Sequence, residues 1–450
     1  MPHRDGVAKT LLGQLLCNRR MPLMNLHNCL LQCRMMTTSK RVQDRSKRKR
    51  VQDLEVSLEK HKILSKILFL FEILKQQPEQ VMPIRDLDRH RRQINLPKPH
   101  KLSAFLRKSP KLFELYKDDH GTSWCGITKL AEDLVEEEEK IIEENSFKAV
   151  EYVCRMLMMS VDKRLPLEKV AHFRRDLGLP FDFRTKWVHE YPKHFKVVRP
   201  FLPLDEREYL ELVEWNPSWA ITELEKKWRR TQGMKLDDPD RVPGLLSLEF
   251  PMKFPPNYKK MLSRYSEQIS NFQKREYLCP YADARDLKAG SHEFDKRAVA
   301  VMHELLSFTI EKRLITDHLT HFRREFVMPQ KLMRLLLKHF GIFYVSEKGR
   351  RFSVFLNEAY EGSELIEKHP LIVWREKVDK YIGYRRKKSP FMGLEYLSEM
   401  EDKDLLESDS EHDSISVESE QKDAMHNFND VSSSDSSEME IEEIYAAYED

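Results

Sequence analysis

Three stretches decide how this chain is read: IRDLDRHRRQINLP (Ile84 to Pro97), LEKVAHFRRDLGLP (Leu167 to Pro180) and ITDHLTHFRREFVMP (Ile315 to Pro329). Aligned on the last proline, Leu87, Val170 and Leu319 coincide. So do the pairs Arg91-Arg92, Arg174-Arg175 and Arg323-Arg324, and then Ile94, Leu177 and Phe326. Apolar positions around an arginine pair predict a helix that turns the apolar residues inward and the arginines to solvent. Three occurrences make it an internal repeat.

The repeat extends in both directions. Downstream of each copy comes a helix-like segment (Leu102 to Arg107, Phe183 to His189, Leu332 to Leu337). Then a strand opens around Phe113, Phe195 or Phe343, and a second strand-like run follows (Trp124 to Thr128, Tyr209 to Val213, Phe352 to Leu356). Upstream lies an amphipathic helix in each case: Ile63 to Leu74, Val150 to Met159, Val299 to Ile310. Each unit reads as three helices and a two-stranded hairpin, similar to a small winged-helix module. The predicted fold class is therefore mainly α with short β-hairpins, three winged-helix-like repeats forming one elongated body. The modules fall at about 61-135, 148-216 and 296-360, with an insertion at 217-294 that holds a Trp-rich helix and a proline-rich loop.

Charge divides the chain. Glu399 to Asp450 carries 19 acidic residues against Lys403 and Lys422, a net of −17, so the +3 of the whole chain leaves +20 on the rest. A body that cationic fits a polyanion partner better than a small-molecule substrate; lysine and arginine also serve solubility, and charge alone leaves both readings open. Residues 1-43 hold one acid, Asp5, among spread arginines and lysines, with Leu11, Leu12, Leu15 and Leu16 at helical spacing, as an organelle presequence requires. Arg45 to Arg50 is a basic run. The acidic, Ser-rich segment 391-450 is expected to be a disordered tail. The most apolar stretch, Ile63 to Leu74, is short for a bilayer span and contains Lys66 and Glu72.

The candidate RNA-binding residues are the repeated arginines Arg91, Arg92, Arg174, Arg175, Arg323 and Arg324, with Lys101, Arg107, Lys108, Arg184, Lys186, Lys331 and Arg334 on the helices that follow. Arginine presents a rigid fork of donors to phosphate oxygens, and one pair per module would string such contacts along a nucleic-acid backbone. The competing reading pairs these arginines with acids such as Asp176 and Glu325. Trp187, Tyr191, Tyr344 and Phe352 are rings that could stack on bases, or simply fill the core.

Catalytic and metal signatures are not found. Cys125 sits in WCG, superficially the setting of a nucleophile, but falls in a predicted strand whose counterparts carry no cysteine. Cys17, Cys29 and Cys33 lie in the presequence, and Cys125, Cys154 and Cys279 lack ligand spacing. His303-Glu304 has no second histidine at the spacing a zinc helix needs. No catalytic residue, metal site or cofactor is predicted.

Six segments then carry a likeness: PKPHKLSAFLRKSPKLFELY (97 to 116), SVDKRLPLEKVAHFRRDLGLPFDF (160 to 183), SLEFPMKFPPNYKK (247 to 260), YLCPYADARDL (277 to 287), KRAVAVMHELLSFTIEKR (296 to 313) and ELIEKHPLIVWREK (364 to 377). With these the chain resembles the plant organelle RNA recognition (PORR) family over a domain at 44-390, and especially its mitochondrial members. The resemblance implies a factor for splicing of group II introns, with organellar intron RNA and other splicing factors as partners, no membrane and no small-molecule substrate. It implies the mitochondrion as location, the chloroplast being the alternative. Two readings of other classes stand beside it: a duplex DNA-binding protein that uses the third helix of a winged module, and a protein-interaction scaffold built on the tail or the Trp-rich insertion.

Overall fold

A long helix, α1 (Gln52–Lys75), opens the described chain and belongs to two cores at once. At 1.5 Å per residue it runs for roughly 36 Å, long enough to serve both. Leu54 and Leu58 in its first half pack with Tyr344, Phe355 and Tyr360, whereas Leu64 to Leu74 in its second half pack on the first module. The computed structural model describes residues 50–383 except 95, 97–99, 200–206, 235–242, 255–258, 321 and 347–351. The predicted presequence and acidic tail lie outside the described residues, as does all but Arg50 of the basic run.

After α1 the first module has strand β1 (Val81–Pro83), short helical pieces at Ile84–Leu87 and Arg91–Ile94, a helix at Leu102–Arg107, and the hairpin β2 (Phe113–Lys117) and β3 (Ser123–Ile127). Helix α2 (Lys129–Glu144), begun by the Thr128 side chain accepting from the Ala131 N–H, leads to α3 (Ser146–Met159). The second module continues with β4 (Arg164–Pro166), helical pieces at Leu167–Ala171 and Arg174–Leu177, and the hairpin β5 (Phe195–Val198) and β6 (Tyr209–Leu212). The insertion contributes α4 (Glu223–Thr231), β7 (Leu245–Leu246), α5 (Lys259–Lys274) and β8 (Tyr277–Leu278). Helix α6 (His292–Phe308), β9 (Arg313–Ile315), helices at Thr316–Thr320 and Leu332–Lys338, and the hairpin β10 (Phe343–Ser346) and β11 (Ser353–Leu356) follow. The small pair β12 (Tyr360–Glu361) and β13 (Glu364–Leu365) and helix α7 (Pro370–Asp379) close the described chain.

The protein is mainly helical with small antiparallel sheets, as the sequence predicts, but the sheet of each module has a strand more than expected. In all three the short first strand joins the hairpin with the last strand in the centre: β1-β3-β2, β4-β6-β5 and β9-β11-β10. Three residues are too few to show an alternating pattern, and Pro83 and Pro166 end two of the strands, so these segments carry no strand signal. The registers agree residue for residue. Cys125 lies between Met82 and Leu115, Leu210 between Leu165 and Val197, and Val354 between Leu314 and Val345. All three central residues are fully buried. Cys125 is thus the counterpart of a leucine and a valine.

Leu87, Val170, Leu319, Ile94, Leu177 and Phe326 are all buried, so the periodicity assigned the inward face correctly. Burying each such side chain contributes about 1.5–3 kcal/mol. The single helix predicted there is instead broken into short pieces. Its end is fixed by a left-handed residue two positions before the aligned proline, Gly178 (φ 71°) in the second module and Val327 (φ 52°) in the third.

A second repeated device was not read from sequence. Lys163 and Lys312 directly precede β4 and β9, have positive φ (55° and 49°), and turn their ammonium groups back onto the Met158 and Ser307 carbonyls at the ends of α3 and α6. Terminal carbonyls of a helix have no partner within it, and a cation there also meets the negative end of the helix dipole. The signal was present as Asp162-Lys163-Arg164-Leu165 and Glu311-Lys312-Arg313-Leu314.

The second and third modules and the insertion share one continuous core, which includes Val153, Leu210, Phe250, Tyr277, Leu305 and Val354. The first module has its own, closed by Trp374 and Val378 of α7. The shared core also holds a charged knot. Arg155, with no exposed side-chain surface, donates to Glu304 and Glu223 at 2.5 Å each and to the Tyr281 hydroxyl at 2.9 Å, and Tyr281 donates to Glu304 at 2.6 Å. His303-Glu304, read as a fragment of a metal motif, belongs to this knot through Glu304.

Candidate nucleic-acid interface

The three arginine pairs occupy equivalent places and make different contacts. In the second module both guanidiniums converge on one carboxylate of α1: Arg174 and Arg175 each reach Glu72 at 2.6 Å. Arg175 also donates to the Ser65 carbonyl at 3.3 Å and lies 5.6 Å from the Phe69 ring centroid, while Arg174 lies 5.3 Å from that of Phe181. Burial alone would raise the Glu72 carboxyl, but Arg175 and then Arg174 outweigh it and hold the group below its usual range. The expectation that this pair faces solvent is corrected: a side chain 102 residues away supplies the counter-charge. Sequence suggested Asp176 and Glu325 as partners, and Glu325 is engaged by Lys169 at 3.2 Å.

In the first and third modules the first arginine of the pair closes its own loop. Arg91 donates to the Leu96 and His100 carbonyls and pairs with Asp88 at 3.2 Å. Arg323 donates to the Thr320 and Gln330 carbonyls. The second arginine, Arg92 or Arg324, is exposed, and no ion pair joins it to another described residue.

The remaining candidates lie on the short helix after each loop. Lys101 and Lys331 are exposed N-caps of Leu102–Arg107 and Leu332–Lys338, Arg107 is exposed, and Lys108 and Arg334 are half-buried. Arg184 and Lys186 are exposed and stand 3.7 Å from Glu168 and 3.6 Å from Glu190, surface pairs worth little and open to exchange for a phosphate. Of the candidate rings, Trp187 and Tyr344 are buried, Tyr191 is half-buried and Phe352 is 36% exposed.

Around the locked pair lies a polar junction that sequence reasoning missed. Glu311, just before β9, accepts from Arg375 of α7 at 2.7 Å and from Arg313 at 3.1 Å, and lies 2.7 Å from the His61 ring of α1. Burial, then Arg313, drives His61 down to about 4, so the ring is neutral at neutral pH and the two guanidiniums balance the carboxylate. Arg375 also donates to the Arg175 carbonyl at 3.1 Å. A cavity of about 170 Å³ opens here among His61, Arg175, Asp176, Arg313 and Arg375. Burial pushes the Asp176 carboxyl up to about 6. Apart from Arg313 and Glu311, two residues apart, the ion-pair partners that meet here are distant in sequence, which leaves no local pattern to find.

Cys125 is fully enclosed and burial pushes its thiol up to about 12, the reverse of what a nucleophile needs. Among the described residues no group of three or more His, Cys, Asp or Glu is placed to hold a metal ion, and no helix is long and apolar enough to cross a membrane.

The plant organelle RNA recognition domain model matches residues 49–387. The chain belongs to that family. It is 36% identical over 344 residues to the protein WHAT'S THIS FACTOR 1, chloroplastic, of Zea mays, which covers 76% of this chain and 67% of that one. The corresponding Arabidopsis thaliana homolog is 38% identical, with 76% of this chain and 63% of the other aligned, so the chain spans about two thirds of these relatives. The protein WHAT'S THIS FACTOR 9, mitochondrial, of Arabidopsis thaliana is 26% identical over 70% of this chain and 78% of its own. No solved structure matches. Membership supports an RNA-binding role in organelle splicing for this chain.

Proposed function

We propose that this member of the family binds structured group II intron RNA through Arg92, Lys101, Arg107, Arg184, Lys186, Arg324 and Lys331, and holds it in a splicing-competent fold. The observation that carries the reading is the family match over 49–387, which takes in all three modules. Exposed cations distributed over the modules neutralise phosphates as intron helices approach one another, and the RNA supplies the chemistry. The chain acts without a catalytic residue of its own, and further splicing factors join it on the intron. In this reading Arg174 and Arg175 serve the junction with α1 rather than the RNA.

The test is binding of a folded group II intron domain at several salt concentrations. Each lost phosphate contact lowers the slope of log K against log salt by about 0.9. Replacing Arg92, Arg324 and Lys331 together with Ala should weaken binding and flatten that slope. Equal affinity and slope in the triple variant would remove these residues from the interface. Preference for duplex DNA over folded RNA would favour the reading as a DNA-binding protein.

The location is an organelle. Likeness to mitochondrial members points to the mitochondrion, whereas the relatives at 36% and 38% identity are named chloroplastic. Import of a fluorescent fusion of the full chain into isolated mitochondria and chloroplasts decides between them.

A further inference from the structure

The stretch that carries the arginine pair is not equally charged in the three modules. From Arg89 to Phe113 the first module holds eight Lys and Arg and no Asp or Glu. The equivalent stretch of the second, His172 to Phe195, holds five against three acids, and that of the third, His321 to Phe343, holds five against Glu325. Ion pairing widens the gap. Arg174 and Arg175 are occupied by Glu72, and Lys338 stands 4.0 Å from Asp295. In the first module Arg92, Arg107 and Lys111 are exposed, and no ion pair joins them to another described residue. The acids just upstream are engaged, Asp86 by Arg89 and Asp88 by Arg91 at 3.2 Å each. The exposed acids that follow, Glu114, Asp118 and Asp119, belong to the hairpin of β2 and β3. Even with all of these counted, Arg85 to Asp119 holds ten Lys and Arg against five acids, so the region keeps a positive excess.

The described chain ends against this same region. Tyr381 and Ile382, beyond α7, pack into the core of the first module. The Lys111 ammonium lies 5.7 Å from the Tyr381 ring centroid, and Gly383 is so close to the Lys108 carbonyl that a Cβ there would collide with it. Acids near the exit have other partners: Glu376 pairs with Lys368 at 2.8 Å, and Asp379 lies in the field of Lys60. Fifteen residues separate Gly383 from Glu399, where the segment with 19 acids and two lysines begins. A spacer of that length extends to at most roughly 50 Å, which keeps those acids within reach of the cations. Tethering makes the encounter intramolecular, at an effective concentration on the order of millimolar.

We propose that the acidic segment 399–450 docks on the first module over Lys101, Arg107, Lys108 and Lys111, and that RNA displaces it in order to bind there. The docking stands on charge and on the path of the chain; the displacement rests on the RNA-binding reading above. Exposed ion pairs are individually weak and screened by salt, so a contact built of many is open to exchange with phosphates.

Carbodiimide coupling of the full chain without RNA tests the contact, since it joins an ammonium to a carboxylate only where the two touch. Links from Lys101, Lys108 and Lys111 to acids in 399–450 are expected within single copies, and excess folded intron RNA should abolish them. Arg107→Glu with Lys111→Glu, both at exposed positions, should deplete the links from Lys101 and Lys108, whereas Arg324→Glu with Lys331→Glu should leave them unchanged. Replacing the 19 acids with Asn and Gln in the full chain should tighten RNA binding about tenfold at low salt, a gain that shrinks as salt rises. Links confined to Lys387 and Lys388, to the third module or to a second copy overturn the docking. Docking links that persist in saturating RNA, or an RNA affinity indifferent to the acids, overturn the displacement. If neither the native nor the neutralised chain binds RNA, the RNA reading falls, and the links still decide the docking.

Discussion

The arginine pair of the second module and those of the first and third come from the same local sequence and perform different work. Arg174 and Arg175 share Glu72 of α1 and hold that helix against the second module. Arg91 and Arg323 tie their own loops through backbone carbonyls, and Arg92 and Arg324 are left in solvent. The difference does not lie in the pair. It lies in whether another element brings a carboxylate to it, which α1 does once. A repeated basic dipeptide is therefore a poor guide to a binding surface until its neighbours are known.

The largest break in this comparison should come from Glu72→Ala. Removing the shared carboxylate leaves two partly buried guanidiniums facing each other, at a cost of about 3 kcal/mol. Chemical denaturation should show that loss, while Asp88→Ala, which removes the carboxylate paired with Arg91 at 3.2 Å, should cost no more than about 0.5 kcal/mol. Equal losses at both sites would abolish the distinction between the modules.

Gly178→Ala should come next. A Cβ there would stand 2.9 Å from Ile310 Cδ1 and 3.1 Å from Leu371 Cδ1, and the backbone is left-handed besides. We expect a loss of about 2 kcal/mol, read from the denaturation midpoint. The equivalent position of the third module sharpens the point. Val327 holds the same conformation at φ 52° with a branched side chain. Val327→Gly should relieve that strain and gain about 0.5 kcal/mol after the entropy that glycine gives up.

The last effect is electrostatic, and it distinguishes the two carboxyls beside the locked pair. Asp176 is pushed up to about 6 by burial, so its ionised form costs folded-state stability at pH 7; stability should rise as pH falls through 6 toward the ordinary carboxylate range. Glu72 is held below its usual range, so its contribution is present above that range and lost as pH falls beneath it. Melting temperatures across this window should therefore pass through a maximum. Asp176→Asn should remove the rise on the alkaline side, and an unchanged profile would show that Asp176 does not titrate there.

The spacing of Leu87/Ile94, Val170/Leu177 and Leu319/Phe326 was sufficient to place six core residues, because a helical period is a local property. The hairpins were legible for the same reason, through runs of apolar and aromatic residues. Segments of three residues such as Val81–Pro83 were not, since a strand that short acquires its identity only from the neighbour it pairs with.

By itself, then, the sequence determined the helical modules, their inward faces, the concentration of positive charge ahead of an acidic end, and membership of an RNA recognition family. Tertiary structure alone decided which cations remain available. Glu72 is 102 residues from Arg174, and Glu311 is 64 from Arg375. Whether a guanidinium meets a carboxylate or water depends on distance in space, and folding sets that distance through helix packing that no local pattern encodes.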